Sequence, residues 1–118
     1  MLFRLFLSSI AALSFFPSPA HARSCGYASH YGIGDGYHGQ RAADGSRFNA
    51  HGLTVASPHL PFGTWLRVTN QRNGRSVIVK VTDRGPYYGD RVLDLSYGAF
   101  ARIAHPDNGE VRVCYSRV

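Results

Sequence analysis

Apolar and polar positions alternate most clearly in the middle of the chain. Over Arg75–Thr82, Val77, Val79 and Val81 share one face while Ile78, Lys80 and Thr82 take the other, the period-two signature of a strand with one buried side. Thr64–Asn70 is a second β-rich run, joined to the first by Gln71-Arg72-Asn73-Gly74, whose Asn-Gly pair predicts a hairpin. A turn follows at Asp83-Arg84-Gly85-Pro86, and a strand resumes over Arg91–Leu95. Ser96 is suited to cap a short helix running to about His105 with Phe100 and Ile103 facing inward, and Glu110–Tyr115 reads as a last strand. No internal repeat or linker interrupts this pattern.

The other apolar run has a different character. Leu5–Phe16 is broken only by serines, Arg4 precedes it, Pro17 and Pro19 follow it, and Ala20-His21-Ala22 fits a small-x-small cleavage site. Residues 1–22 therefore read as an export signal, too short for a comfortable membrane span, ahead of one domain over residues 23–118. The mature protein is expected to be soluble and exported, to the periplasm or outside the cell, without a stable membrane anchor and as a monomer.

Export changes how the two cysteines are read. Cys25 and Cys114 stand near the two ends of the mature chain, and in an oxidising compartment a disulfide between them is the first expectation. In the chain-entropy picture a loop of this length is worth about 4 to 5 kcal/mol. The alternative, a reactive thiol, lacks a Cys-x-x-Cys partner.

Composition narrows the class further. With 118 residues, 44% hydrophobic and 17% charged, the chain is a small globular protein and not a disordered polyampholyte. Thirteen Gly and six Pro favour strands and turns over a helical bundle. The formal charge of +6 comes almost wholly from Arg, with Lys80 the single lysine. A basic, aromatic-rich chain could bind nucleic acid, but export favours a polyanionic cell envelope as the partner, attracted by a salt-sensitive term. His38, His51 and His105 form no metal-ligand pattern, so no metal or other cofactor is expected. From Gly26 to Gly39 the chain is dense in Gly and Tyr. Tyr27, Tyr31 and Tyr37 could form a sugar-binding rim or cover a small core.

Several short motifs carry a resemblance. Ala28-Ser29-His30-Tyr31-Gly32, Ala43-Asp44-Gly45-Ser46-Arg47-Phe48-Asn49, Leu60-Pro61-Phe62-Gly63-Thr64, Val68-Thr69-Asn70 with Asn73-Gly74-Arg75-Ser76, Asp83-Arg84-Gly85-Pro86 and Asp94-Leu95-Ser96 follow in order over nearly all the mature chain. This series resembles the rare lipoprotein A family of bacterial lytic transglycosylases. The resemblance implies a mainly β fold, a six-stranded double-psi β-barrel with one short helix or two, related to the first domain of expansins. It also implies endolytic cleavage of peptidoglycan glycan strands between N-acetylmuramic acid and N-acetylglucosamine, leaving 1,6-anhydro ends.

That reaction needs one group to protonate the leaving oxygen and then, as base, to let the muramyl 6-hydroxyl close the ring, unlike hydrolysis by two carboxylates. Asp83, in the Asp-Arg-Gly-Pro motif, is the expected acid/base; opening the turn by accepting backbone N–H groups is its structural alternative. Asp94 is the second catalytic candidate, and a neighbour able to raise the pKa of Asp83 if their strands are adjacent. It could equally accept bonds at the start of the helix. Arg84 should point away from Asp83, toward substrate. Tyr31, Arg84, Tyr87 and Ser57 are the expected substrate-binding residues.

The chain departs from the family at three positions. Ser57 stands where members carry an active-site histidine, His30 where they carry Trp, and Ser46 where they carry Glu. Either His59 brings an imidazole to the same space through the Pro58 turn, making it a third catalytic residue, or the imidazole is missing. The second function class is accordingly a noncatalytic, expansin-like barrel that binds or loosens glycan. A secreted interaction protein on the same scaffold is the third.

Overall fold

The computed structural model describes residues 23–118, and the expected export signal lies outside them. Six strands form the body: β1 (Ser24–Tyr31), β2 (Thr54–Ala56), β3 (Trp65–Asn70), β4 (Ser76–Asp83), β5 (Arg91–Ser96) and β6 (Glu110–Arg117). One helix, α1 (Tyr97–Ile103), and a single 3-10 turn (Pro106–Asn108) lie between β5 and β6. The strands close into a barrel in the order β1-β5-β2-β4-β3-β6. β1 runs parallel to β5 and β2 parallel to β4, whereas the β3–β4, β3–β6, β1–β6 and β2–β5 pairs are antiparallel. Among the described residues, closure leaves no edge strand of the barrel unpaired.

The predicted hairpin is the β3–β4 pair, with Val68 opposite Val77 and Leu66 opposite Val79. All four are buried, as is Val81, while Ile78 and Lys80 face out. Thr82 is buried as well, because the 41–47 turn docks on this end of β4 through Asp44 N–H to Thr82 O at 3.1 Å. At the other end Asn70 and Asn73 both donate side-chain amides to the carbonyl of Ile103, at 2.8 and 3.0 Å. They satisfy the C-terminus of α1, so the helix stops at Ile103 and not at His105.

The barrel interior is filled by Leu66, Leu93, Leu95 and the valines of β2, β3, β4 and β6, and α1 closes one side with Ala99, Phe100 and Ile103, all fully buried. Each large side chain so buried contributes about 1.5–3 kcal/mol. Ser96 caps α1 as expected: its Oγ accepts from Ala99 N–H and donates to Gly52 O at 2.7 Å. Cys25 and Cys114 sit directly opposite each other on β1 and β6 and are joined by the disulfide.

Gly98 has an unexpected role. Its N–H bonds the carbonyl of Ala50 at 2.8 Å, and a Cβ there would lie 2.6 Å from the backbone oxygen of His51. In an open helix Gly→Ala gains about 1 kcal/mol, but here the added methyl meets backbone. Gly98→Ala is therefore expected to destabilise by about 1–3 kcal/mol, read as a lower thermal midpoint.

Candidate active site

Strand register places four residues in one row. Ser29 of β1 pairs with Asp94 of β5, Asp94 with Ala56 of β2, and Ala56, across a bulge, with Asp83 of β4. Partners on neighbouring strands share a face, so the backbones of the two acidic residues stand about 10 Å apart across the sheet, with Ala56 of β2 between them. Asp83 and Asp94 are half-buried, while Ser29 and Ala56 are buried beneath. The row is thus a shallow trough with small buried residues in its floor and two half-buried carboxyls on it, crossed by Tyr31, which reaches from β1 to Asp83. Because β2 intervenes, the strands of Asp83 and Asp94 are not adjacent.

Asp83 ends β4 and is held by three donors. The Tyr31 hydroxyl bonds Oδ2 at 2.9 Å, while the backbone N–H groups of Ala43 and Arg84 bond Oδ1 at 2.9 and 3.1 Å. The Ala43 bond is why the Ala43-Asp44-Gly45 turn seats against the end of β4. Tyr31 stacks flat on Phe48, ring centres 4.5 Å apart, so its hydroxyl is fixed. Burial, then the charge and hydrogen bond of Asp83 and the charges of Asp94 and Asp35, push the Tyr31 phenol well above its ordinary value. It therefore stays protonated and acts as a donor.

Asp94 is held differently. Ser29 Oγ donates to Oδ1 at 2.9 Å, and Arg91 in turn donates to Ser29 Oγ at 2.9 Å. Burial raises the Asp94 pKa despite the opposing Ser29 bond and the charges of Arg91 and His30. A raised value in the folded state means stability that is present in acid and lost as pH rises through that value. Asp94→Asn, whose amide oxygen can still accept from Ser29, is expected to gain more stability over wild type at neutral pH than in acid, as thermal melts at the two pH values would show.

The remaining candidates occupy distinct places. Arg84 does point away from the Asp83 carboxylate: its guanidinium donates to the carbonyls of Leu60 at 2.9 Å and Ser57 at 3.3 Å and lies over the Phe62 ring, 3.9 Å from its centre. It clamps the 57–62 loop beside the trough. Ser57 is fully buried, and its hydroxyl accepts from the N–H groups of His59 and Leu60 at 3.4 and 3.1 Å. A histidine there would have to displace this turn. His59 is exposed on the same loop, and no hydrogen bond among the described residues joins its ring to either carboxyl. Tyr87 is 70% exposed, its ring free for contact. His30, at the usual Trp position, donates to Pro106 O at 3.0 Å and packs edge-on against Phe100 and Tyr97. Ser46 bonds the Asp44 carboxylate through both its N–H and its hydroxyl.

Ser29 and Ala43, which lie within the motifs without being expected in the site, and Ala56 and Arg91, which lie outside them, complete it. Ser29 and Tyr31 are two apart and so share one face of a strand, a signal hidden by the Gly- and Tyr-rich composition around them. Among the described residues no group of three or more His, Cys, Asp or Glu is clustered to hold a metal ion.

Comparison with known proteins agrees with this architecture. Residues 23–115 match the family model described as Lytic transglycolase. The probable endolytic peptidoglycan transglycosylase RlpA of a Nostoc species is 58% identical over 78 residues, 66% of this chain and 21% of that protein. Endolytic peptidoglycan transglycosylase RlpA of Pseudomonas aeruginosa is 46% identical over 91 residues, 77% of this chain and 26% of its own. The chain thus spans about a fifth to a quarter of the length of these curated relatives. Among solved structures, a Streptomyces papain inhibitor superposes with TM-score 0.67 at 26% identity, covering 85% of this chain and 97% of that one. A variant of Clavibacter michiganensis expansin in complex with cellohexaose superposes with TM-score 0.65 at 26% identity, covering 81% and 50%. With the family match taking in nearly every described residue and the barrel shared with these structures, the chain belongs to the lytic transglycolase family of double-psi β-barrels.

Proposed function

We propose that this protein is an endolytic peptidoglycan lytic transglycosylase that cleaves the bond between N-acetylmuramic acid and N-acetylglucosamine and leaves 1,6-anhydro-N-acetylmuramic acid ends, with Asp83 as acid/base. The observation that carries the reading is the half-exposed Asp83 carboxyl, oriented by Tyr31, Ala43 and Arg84 at the end of β4, on the same row as Asp94. In the reaction, protonated Asp83 gives its proton to the glycosidic oxygen as the bond from the muramyl anomeric carbon breaks. The resulting carboxylate takes the proton of the 6-hydroxyl as that oxygen closes on the same carbon. The proton is returned to Asp83 and no water is consumed.

Asp94 assists from across Ala56. Its half-buried carboxyl bonds Ser29 through Oδ1, leaving Oδ2 to meet a sugar hydroxyl. Tyr31 orients Asp83, Arg84 and Ser57 shape the loop beside the glycan, Tyr87 offers a ring face to a sugar, and His59, exposed on that loop, is the candidate for the imidazole that the family resemblance implies. The names of the relatives support the substrate class. The protein works as a monomer outside the cytoplasm, where the Cys25–Cys114 disulfide persists.

The expansin-like reading, binding without cleavage, is favoured by one observation: no imidazole bonds either carboxyl among the described residues. Incubation with purified glycan strands and mass spectrometry of the products separates the two. Anhydro ends support the enzyme; tight binding with intact strands leaves the noncatalytic barrel.

A further inference from the structure

The outer face of β1 continues past the trough. Tyr27, Ser29 and Tyr31 alternate on it, with Tyr31 bonded to Asp83 and Ser29 to Asp94. Tyr27 stands about 7 Å further along the strand from Ser29 and is 37% exposed. Two cavities open on either side of it, both lined by Tyr27 and Glu110. One, of about 740 Å³, has Arg72, Asn108, His105 and Arg112 in its wall; the other, of about 750 Å³, has Tyr88, Asp90 and Arg91. Neither holds Asp83 or Asp94. Arg91 nevertheless links the second to the trough, since its guanidinium lies 5.0 Å from the Tyr88 ring centre and donates to Ser29 Oγ.

We propose that this surface is a second glycan subsite, which takes a carboxylate-bearing sugar unit of the same strand, its ring against Tyr27 and its carboxylate on Arg72 and Arg112. Tyr27 offers flat apolar ring surface of the type on which a sugar packs, and the Arg112 guanidinium lies over that ring, 5.7 Å from its centre, so a sugar against Tyr27 brings its carboxylate within reach of Arg112. Arg72 and Arg112 serve the fold through backbone groups: Arg72 N–H bonds Asn70 Oδ1, and Arg112 O accepts from Gln71 N–H. Their guanidinium groups are exposed and can form charge-assisted bonds to a carboxylate. In the first cavity Arg72 and Arg112 outnumber the one carboxylate, Glu110, whereas in the second Asp90 and Glu110 outnumber Arg91, so the carboxylate is placed in the first. The carboxylate can be the lactyl group of muramic acid or a carboxyl of an attached stem peptide, which share this chemistry.

The inference rests on the proposed substrate class, and its test is binding, which does not require turnover. Wild type and R72Q/R112Q would be titrated at two salt concentrations with strands stripped of stem peptides, strands that keep them, and chitin oligosaccharides of equal length, which are neutral. Wild type is expected to bind a carboxylated strand better than the neutral one. The double variant should lose about tenfold of that affinity, with a flatter salt dependence, and should bind the neutral strand as before. Whichever carboxylated strand shows the loss identifies the carboxylate. A second variant, Tyr27→Ala, should weaken all three ligands alike. Equal binding of every strand, or a double variant with wild-type affinity and salt dependence, overturns the subsite even if wild type releases anhydro products. Absence of those products with the arginine effect intact overturns the enzyme reading alone.

Discussion

Asp83→Asn is expected to reduce release of anhydro-muramyl products by about 10²–10⁴-fold, the usual worth of a general acid–base group, while moving the thermal midpoint by only a few degrees. The hydrogen bonds explain the separation. Both backbone donors, Ala43 N–H and Arg84 N–H, use the same carboxylate oxygen, Oδ1, which an asparagine supplies. The other oxygen meets only the Tyr31 hydroxyl, which can rotate to accept from an amide NH₂. The substitution thus removes the transferable proton and keeps the geometry. A loss of activity that tracks a large fall in midpoint would instead assign Asp83 to holding the fold at the end of β4.

The largest effect on stability is expected from the disulfide. Cys25 and Cys114 are separated by 89 positions and join β1 to β6, the contact that brings the two ends of the domain together in the closed barrel. Opening so long a loop costs about 4–5 kcal/mol in the chain-entropy picture, close to the whole stability of a marginal small domain, about 5–15 kcal/mol. Cys25→Ser with Cys114→Ser should therefore lower the midpoint by roughly 20 °C or more, read by calorimetry of the double variant. A fall of only a few degrees would mean that the β1–β6 ladder closes the barrel without the covalent link.

What could be read from the chain depended on how local each feature is. The β3–β4 hairpin and the Ser96 cap rest on neighbours in sequence, and both appear as patterned. β2 has only three residues, Thr54–Ala56, too few for alternation to show, and it exists because β4 and β5 flank it. β1 lay beneath a Gly- and Tyr-rich composition that resembles a loop. Motif likeness marked Asp83 and Asp94, but the small floor between them depends on register among four strands, which no local pattern encodes. The same holds for Ser57: only the folded loop shows its hydroxyl turned to the backbone and fully covered.

The central claim is that a carboxyl at the rim of a closed barrel passes one proton out and back while the sugar closes on its own hydroxyl. Digestion of glycan strands in ¹⁸O-labelled water, followed by mass spectrometry of the new muramyl ends, tests it most directly. The account predicts ends lighter by one water than hydrolytic products and free of label, absent with Asp83→Asn. Labelled reducing ends would contradict it, because they would show water, and not the 6-hydroxyl, attacking the sugar.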